Sequence, residues 1–268
     1  LIDRRILVTG STDGIGKETA LELAAMGAEV IVHGRTKGKA ALVAQEIART
    51  TGNEKTAFIA ADFADLTQVR SMAAEVTQRW DRIHVLINNA GVYMSDRELT
   101  VQGFETTFAV NHLAPFLLTN LLLDNLLRSV PARIVTVSSI AHQRATLDFE
   151  NLQAEKRFDP YAVYALSKLA NILFTYELAS RLQGKGVTAN CLHPGVINTK
   201  LLRTGFGTTG ATVEEGASTT VYLATSEEVE GITGTYFVRN QKAASSWLSR
   251  DPAARQKLWA VSARACGL

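Results

Sequence analysis

A doubly wound α/β fold, with a parallel sheet of about seven strands and helices on both faces, is predicted by three observations. Short, nearly continuous apolar runs recur along the chain, longer segments of helical periodicity separate them, and a glycine cluster joins the first run to the first helix. Strands without polar alternation belong to a sheet buried on both faces, and right-handed crossovers then put helices on its two sides.

The elements follow in order. A strand at 6–9 leads through glycines into a helix over 15–26, which Gly27 ends before a strand at 29–33. Next come a helix over 39–51, a strand at 56–60, a helix over 66–80 and a strand at 85–88. The rhythm continues with helix 104–128, strand 133–137, helix 162–181, strand 187–192, helix 213–224 and strand 235–238. No repeat or linker divides the chain, so residues 1–268 are read as one domain. Two connections, 140–161 and 196–212, are long for a compact domain and leave the carboxyl ends of strands, where open α/β sheets bind ligands.

Hydrophobic residues make up 46% of the chain and charged residues 20%, the balance of a packed globule. A net charge of +2 without a Lys/Arg block argues against a nucleic-acid surface. Cys191 and Cys266 lack metal-ligand spacing and the five histidines form no cluster, so no metal site is expected. Two scattered thiols and the absence of a visible secretory signal point to a cytoplasmic location, with an anchor ahead of Leu1 left open. The most apolar stretch, 116–127, contains Asn120, Asp124 and Asn125 and reads as a buried helix, not a membrane span.

Gly10, Ser11, Thr12, Asp13, Gly14, Ile15 and Gly16 turn the first strand into the first helix. Glycines allow a pyrophosphate to approach the backbone, and the helix start offers free N–H groups and a positive dipole end. The second strand ends in His33-Gly34-Arg35-Thr36-Lys37. An acid there would select NAD through the ribose hydroxyls. Arg35 instead suits a 2′-phosphate, with Thr36 adding a hydroxyl and Lys37 or Lys39 a second charge, which predicts NADP(H).

Tyr164 and Lys168 stand four apart on one face of a helix. A phenol with a pKa of about 10 is a proton donor, and a neighbouring ammonium is expected to lower that value. Of six tyrosines only Tyr164 has a lysine at the fourth position after it. Ser138 and Ser139 end the strand before this helix, where a hydroxyl can hold a substrate oxygen.

Taken together, Thr9-Gly10-x-x-x-Gly14-x-Gly16, Asn88-Asn89-Ala90-Gly91, Asn111, Ser139, Tyr164-x-x-x-Lys168 and Pro194-Gly195 resemble the short-chain dehydrogenase/reductase family. The stretch 148–152 and Ser167-Lys168-Leu169-Ala170-Asn171 resemble its retinol-dehydrogenase-like branch. The resemblance spans about residues 6–238 and implies a Rossmann fold and hydride exchange between NADP(H) and a small hydrophobic aldehyde, ketone or alcohol. It implies catalytic roles for Ser139, Tyr164, Lys168 and Asn111. It places Asp62 and Phe63 near the adenine, Asn89, Ala90 and Gly91 along the cofactor, and Pro194, Gly195, Ile197 and Thr199 at the nicotinamide. Asp62 is equally suited to capping the helix that starts near Leu66. A homodimer or homotetramer is implied by the resemblance alone, and His112, His142 and His193 are read as packing or hydrogen-bonding residues. Two other classes are weighed. A non-catalytic dinucleotide sensor would not need Tyr164, Lys168 and Ser139, and a sugar-nucleotide epimerase or dehydratase would need more than the 30 residues after Val238.

Overall fold

A computed structural model describes residues 1–268. The chain runs β1 (Arg5–Val8), α1 (Gly14–Ala25), β2 (Glu29–Gly34), α2 (Lys37–Thr51), β3 (Ala57–Ala60), α3 (Leu66–Arg79) and β4 (Val85–Asn88). It continues through α4 (Thr106–Phe108), a π-helical turn (Ala109–Leu113), α5 (Ala114–Leu121), α6 (Leu123–Leu127) and β5 (Ala132–Val137). A 3₁₀ segment (Ile140–Arg144), α7 (Pro160–Arg181), β6 (Val187–His193), α8 (Lys200–Phe206) and α9 (Val213–Thr225) follow. The chain ends with β7 (Tyr236–Val238), β8 (Gln241–Lys242) and α10 (Pro252–Cys266).

One eight-stranded sheet has the order β3-β2-β1-β4-β5-β6-β7-β8. Seven strands are parallel; β8 pairs antiparallel with β7 and was not foreseen. The order reverses between β1 and β4, so the crevice at their carboxyl ends is the ligand position that this topology favours. Both faces are covered. Leu7, Ile31, Leu86 and Ile134 pack under α3, α5, α7 and α10, while Ile6, Val8, Val30 and Ile87 pack under α1, α2 and α9.

The expected continuous helix over 104–128 is broken. Pro115 has no N–H to give the Asn111 carbonyl four residues back, and the chain widens into the π turn there. Glu105, wholly buried, starts the helical run by accepting from the amides of Thr107 (2.9 Å) and Phe108 (2.7 Å). The break turns Asn111 toward the crevice side of β4. Also unforeseen are α8, inside the 196–212 loop, and α10.

Candidate active site

The loop between β1 and α1 is built by close backbone approach. Gly10 has φ +64°, and a Cβ on it would lie 2.7 Å from the Ala90 Cα; one on Gly16 would lie 2.3 Å from Asn89 Nδ2 and 2.4 Å from the Gly10 carbonyl oxygen. The Asn89 amide donates to the Thr9 and Gly10 carbonyls (2.8 and 3.2 Å), and the Thr9 hydroxyl accepts from the amides of Asn89 and Ala90. The loop is thus clamped to the end of β4. Asp13 caps α1 by accepting from the Gly14 amide at 2.8 Å, and half-buried Ile15 lies beside Gly216.

Ser11 departs from its expected place. Its buried hydroxyl donates to the Val8 carbonyl (2.7 Å) and accepts from the His33 amide (2.9 Å), so it stitches β1 to β2 and has no spare proton for a phosphate. His33 was missed. Its Nδ1 accepts from the Gly10 amide at 3.0 Å while its Nε2 donates to the Ala61 carbonyl at 3.1 Å. Burial pushes its pKa down to about 4, keeping it neutral in that one tautomer. A histidine as the second-last residue of a strand beside the glycine loop was the signal available. Phe63, whose side chain is buried, stacks on this ring at 4.4 Å.

At the end of β2, Arg35 and Thr36 are exposed, and neither side chain has a hydrogen-bond partner or ion pair. Thr36 occupies the N-cap position of α2 but leaves the helix amides uncapped. Thr12 packs its methyl over Gly34. Asp65, not Asp62, caps α3 by accepting from the Thr67 amide at 2.9 Å; Asp62 accepts from the Ala64 amide instead.

Deeper in the crevice, α7 places Tyr164 and Lys168 beside the end of β5. Buried Ser138 donates its hydroxyl to the Lys168 carbonyl at 2.7 Å and pins the helix to the strand. Ser139, one residue on, accepts from the Ala141 amide at 3.2 Å. Of the two serines, only Ser139 keeps its hydroxyl proton free of the backbone. Burial raises the Tyr164 pKa to about 12, against the opposing bond from Ser139. The expected lowering by Lys168 is not what this arrangement produces. The Lys168 Nζ stands 5.6 Å from the phenol ring centre, and burial brings its own pKa down to about 8. Its hydrogen bond goes to the Val137 carbonyl at 3.3 Å.

A Cβ on Gly91 would lie 3.4 Å from both Lys168 Nζ and Asn111 Oδ1, so these groups border one small space. Asn111 is locked there. Its oxygen accepts from the Val92 amide (2.8 Å), and its amide donates to the Val92 carbonyl and the Ser167 hydroxyl (both 3.0 Å).

After β6, Pro194 and Gly195 lead to buried Ile197, and residues 196–198 bridge to Ala211, closing the neck of the α8 loop. The Thr199 hydroxyl, expected at the nicotinamide, caps α8 by accepting from the Leu202 amide at 3.2 Å, while its methyl faces Gly14. As an acceptor in that bond, the hydroxyl keeps its own proton to donate. The α8 end carries Phe206 over the tyrosine: its ring centre lies 5.8 Å from Tyr164 and 5.1 Å from Tyr93, with Tyr161 at 6.1 Å. Gly205 allows this, since a Cβ there would lie 2.8 Å from the Tyr93 ring.

Comparison with known proteins agrees with this geometry. The family description "short chain dehydrogenase" matches residues 4–210. The chain is 43% identical to human retinol dehydrogenase 11, over 98% of this chain and 86% of that protein. It is 40% identical to human polyprenol dehydrogenase, over 99% and 86%. A solved short-chain dehydrogenase from Escherichia coli CFT073, complexed with NADPH, superposes with a TM-score of 0.74 at 28% identity, covering 90% of this chain and 98% of that one. The relatives overturn the expected cytoplasmic location. They are named for retinol and polyprenol, water-insoluble isoprenoid alcohols that partition into membranes. Thiol usage could not register this, and no helix here is long and apolar enough to cross a membrane. From motif order, strand order and sequence alike, the chain belongs to the short-chain dehydrogenase family.

Proposed function

We propose that the chain moves a hydride between NADP(H) and an apolar carbonyl/alcohol pair, with Tyr164 as the proton donor in reduction. One observation carries the reading: a buried phenol has a buried lysine one helical turn away, its ammonium 5.6 Å from the ring centre, beside the strand end that carries Ser139. A buried lysine is costly to keep and is found where chemistry needs it. Tyr164 protonates the carbonyl oxygen, Ser139 orients that oxygen, and Lys168 and Asn111 border the route by which the proton is replaced. Tyr164→Phe tests this directly.

The residues fit the dinucleotide. Close packing of Gly10 on Ala90 and of Gly16 on Asn89 fixes the loop that opens α1, and the uncapped start of α2 with unpaired Arg35 suits a phosphate. Gly10, Gly14 and Gly16 would hold the pyrophosphate, Arg35 and Thr36 the 2′-phosphate, Asp62 the adenine, and Lys168 the nicotinamide ribose. When bound, the nicotinamide supplies or takes the hydride. Support for NADP over NAD comes from the absence of a carboxylate at the end of β2 and from the NADPH complex of the Escherichia coli neighbour. Arg35→Asp is expected to lower kcat/KM for NADPH by about 10–100-fold, the worth of a lost charged hydrogen bond, while NADH use holds or improves. Wild-type enzyme using NADH as well as NADPH would sink the role of Arg35.

The apolar substrate class is supported by the aromatic surface around Tyr164, by exposed Val196 and Phe206, and by the alcohols named in the relatives. Removing the Phe206 ring deletes one aromatic contact, worth about 0.5–1.5 kcal/mol. Phe206→Ala is therefore expected to raise KM for an apolar carbonyl about two- to tenfold while leaving KM for NADPH unchanged. A rise in both constants would place Phe206 outside the substrate path.

A further inference from the structure

Ser138 and Ser139 are neighbours held by different means. The Ser138 amide still donates to the Leu192 carbonyl at 2.7 Å, the last bond of the ladder between β5 and β6. Ser139 lies one residue beyond that ladder, so something else must fix its backbone.

His142 does so. It is wholly buried, and its Nδ1 lies 2.6 Å from the Ser139 carbonyl oxygen, which can only accept. Nδ1 therefore carries the proton. The bare Nε2 accepts from the Ser246 amide at 3.1 Å, a group that can only donate. Two backbone partners of opposite polarity fix both the tautomer and the ring plane, and Tyr236 closes the ring's side in an edge contact at 5.1 Å. The His142 backbone amide also donates to the Ser139 carbonyl at 3.2 Å. One residue thus supplies both bonds to that oxygen and ties it to residue 246, more than a hundred positions away.

We propose that His142 is a positioning residue for the reaction: it orients the Ser139 peptide so that its hydroxyl stays on Tyr164, and it couples that orientation to the C-terminal segment around Ser246. The proposal rests on the reading of Ser139 and Tyr164 above. A histidine that merely filled space would need neither nitrogen in a particular role. Here each nitrogen has a separate one, and the two can be removed separately. The Asn amide reaches the place of Nδ1, and the Gln amide reaches that of Nε2.

The full chain is assayed by NADPH oxidation with an apolar carbonyl. His142→Ala is expected to lower kcat on the order of tenfold or more, the rate equivalent of a misplaced hydrogen-bonding group, with KM for NADPH unchanged. His142→Asn recovers most of the loss because it still donates to Ser139; His142→Gln, which serves only Ser246, does not. Equal rescue by Gln, or unchanged kcat in every variant, overturns the proposal. If the alanine chain does not fold, the ratio of Asn to Gln activity decides in the same way. Nitrogen-15 NMR of the wild-type imidazole is expected to show Nδ1 protonated and Nε2 bare at neutral pH, and the opposite tautomer also overturns it. Full turnover by Tyr164→Phe would instead remove the reading of the site while leaving the tautomer result standing, so the two failures are distinguishable.

Discussion

Tyr164→Phe is expected to cut turnover in carbonyl reduction by about 10²–10⁴-fold, the contribution of a positioned general acid. The substitution removes one oxygen and keeps the ring. Packing against Tyr93 at 5.6 Å and Phe206 at 5.8 Å survives, so the fold should change by no more than the roughly 1 kcal/mol of one hydrogen bond. Binding of NADPH should also survive, because Gly10, Gly14, Gly16 and Arg35 are untouched. With its pKa raised to about 12, the phenol is protonated throughout the ordinary working range. Burial therefore favours the protonated, donating form near neutrality. The measurement pairs steady-state NADPH oxidation with a thermal melt and a cofactor titration. Turnover within a few-fold of the parent, in a chain that melts and binds normally, would exclude Tyr164 as the acid.

The parallel strands were legible because burial on both faces leaves unbroken apolar runs, and β4 falls at 85–88 as read. Tyr164-x-x-x-Lys168 was legible because a helical period puts the two on one face. Other features were hidden for identifiable reasons. Apolar periodicity runs straight through Pro115, which masks the π turn that aims Asn111. The short helix α8 carries Gly205 and ends at Gly207 in a left-handed conformation, and so many glycines read as loop. The turn into β8 places Arg239 and Asn240 at positive φ, residues that do not advertise a hairpin as Asn-Gly would. By contrast, α10 carries standard signals in the sequence, Asp251 and Pro252 at its start and Gly267 at its end. At the site, residue type showed which groups were present but not which bonds they spend. Ser11 and Thr199 use their hydroxyls on backbone, and only the packed structure shows that His33 and His142 each hold a backbone group of the site. Burial also raises the Tyr164 pKa where a lowering by Lys168 was expected; that ammonium is 5.6 Å from the ring centre and bonded to the Val137 carbonyl.

Lys168→Met is expected to stabilise the fold while removing most of its activity. The lysine is 3% exposed and has one hydrogen bond to offset the loss of water around its charge. The fall of its pKa from 10.5 to about 8 corresponds to about 3 kcal/mol held against folding when the group is charged. Methionine fills a similar volume without a charge, so a gain of about 1–3 kcal/mol is expected near neutral pH, and a few degrees in Tm for each kcal/mol. The sign with pH is fixed by the same depression. Between about 8 and 10.5 the unfolded chain holds a proton that the folded chain has released, so parent stability rises with pH across that window. The methionine chain lacks that rise, and the difference between the two shrinks toward pH 10.5. Activity follows the opposite course, because the ammonium is the form proposed to hold the ribose and feed the proton path. Reduction kcat/KM in the parent should fall as pH passes about 8, and Lys168→Met should already be slow by about 10²-fold or more below it. Melting curves from pH 6 to 10.5 beside rate profiles give both answers. A methionine chain that is less stable at neutral pH would mean that Lys168 is held for structure, and a flat parent rate through pH 10 would take it out of the proton path.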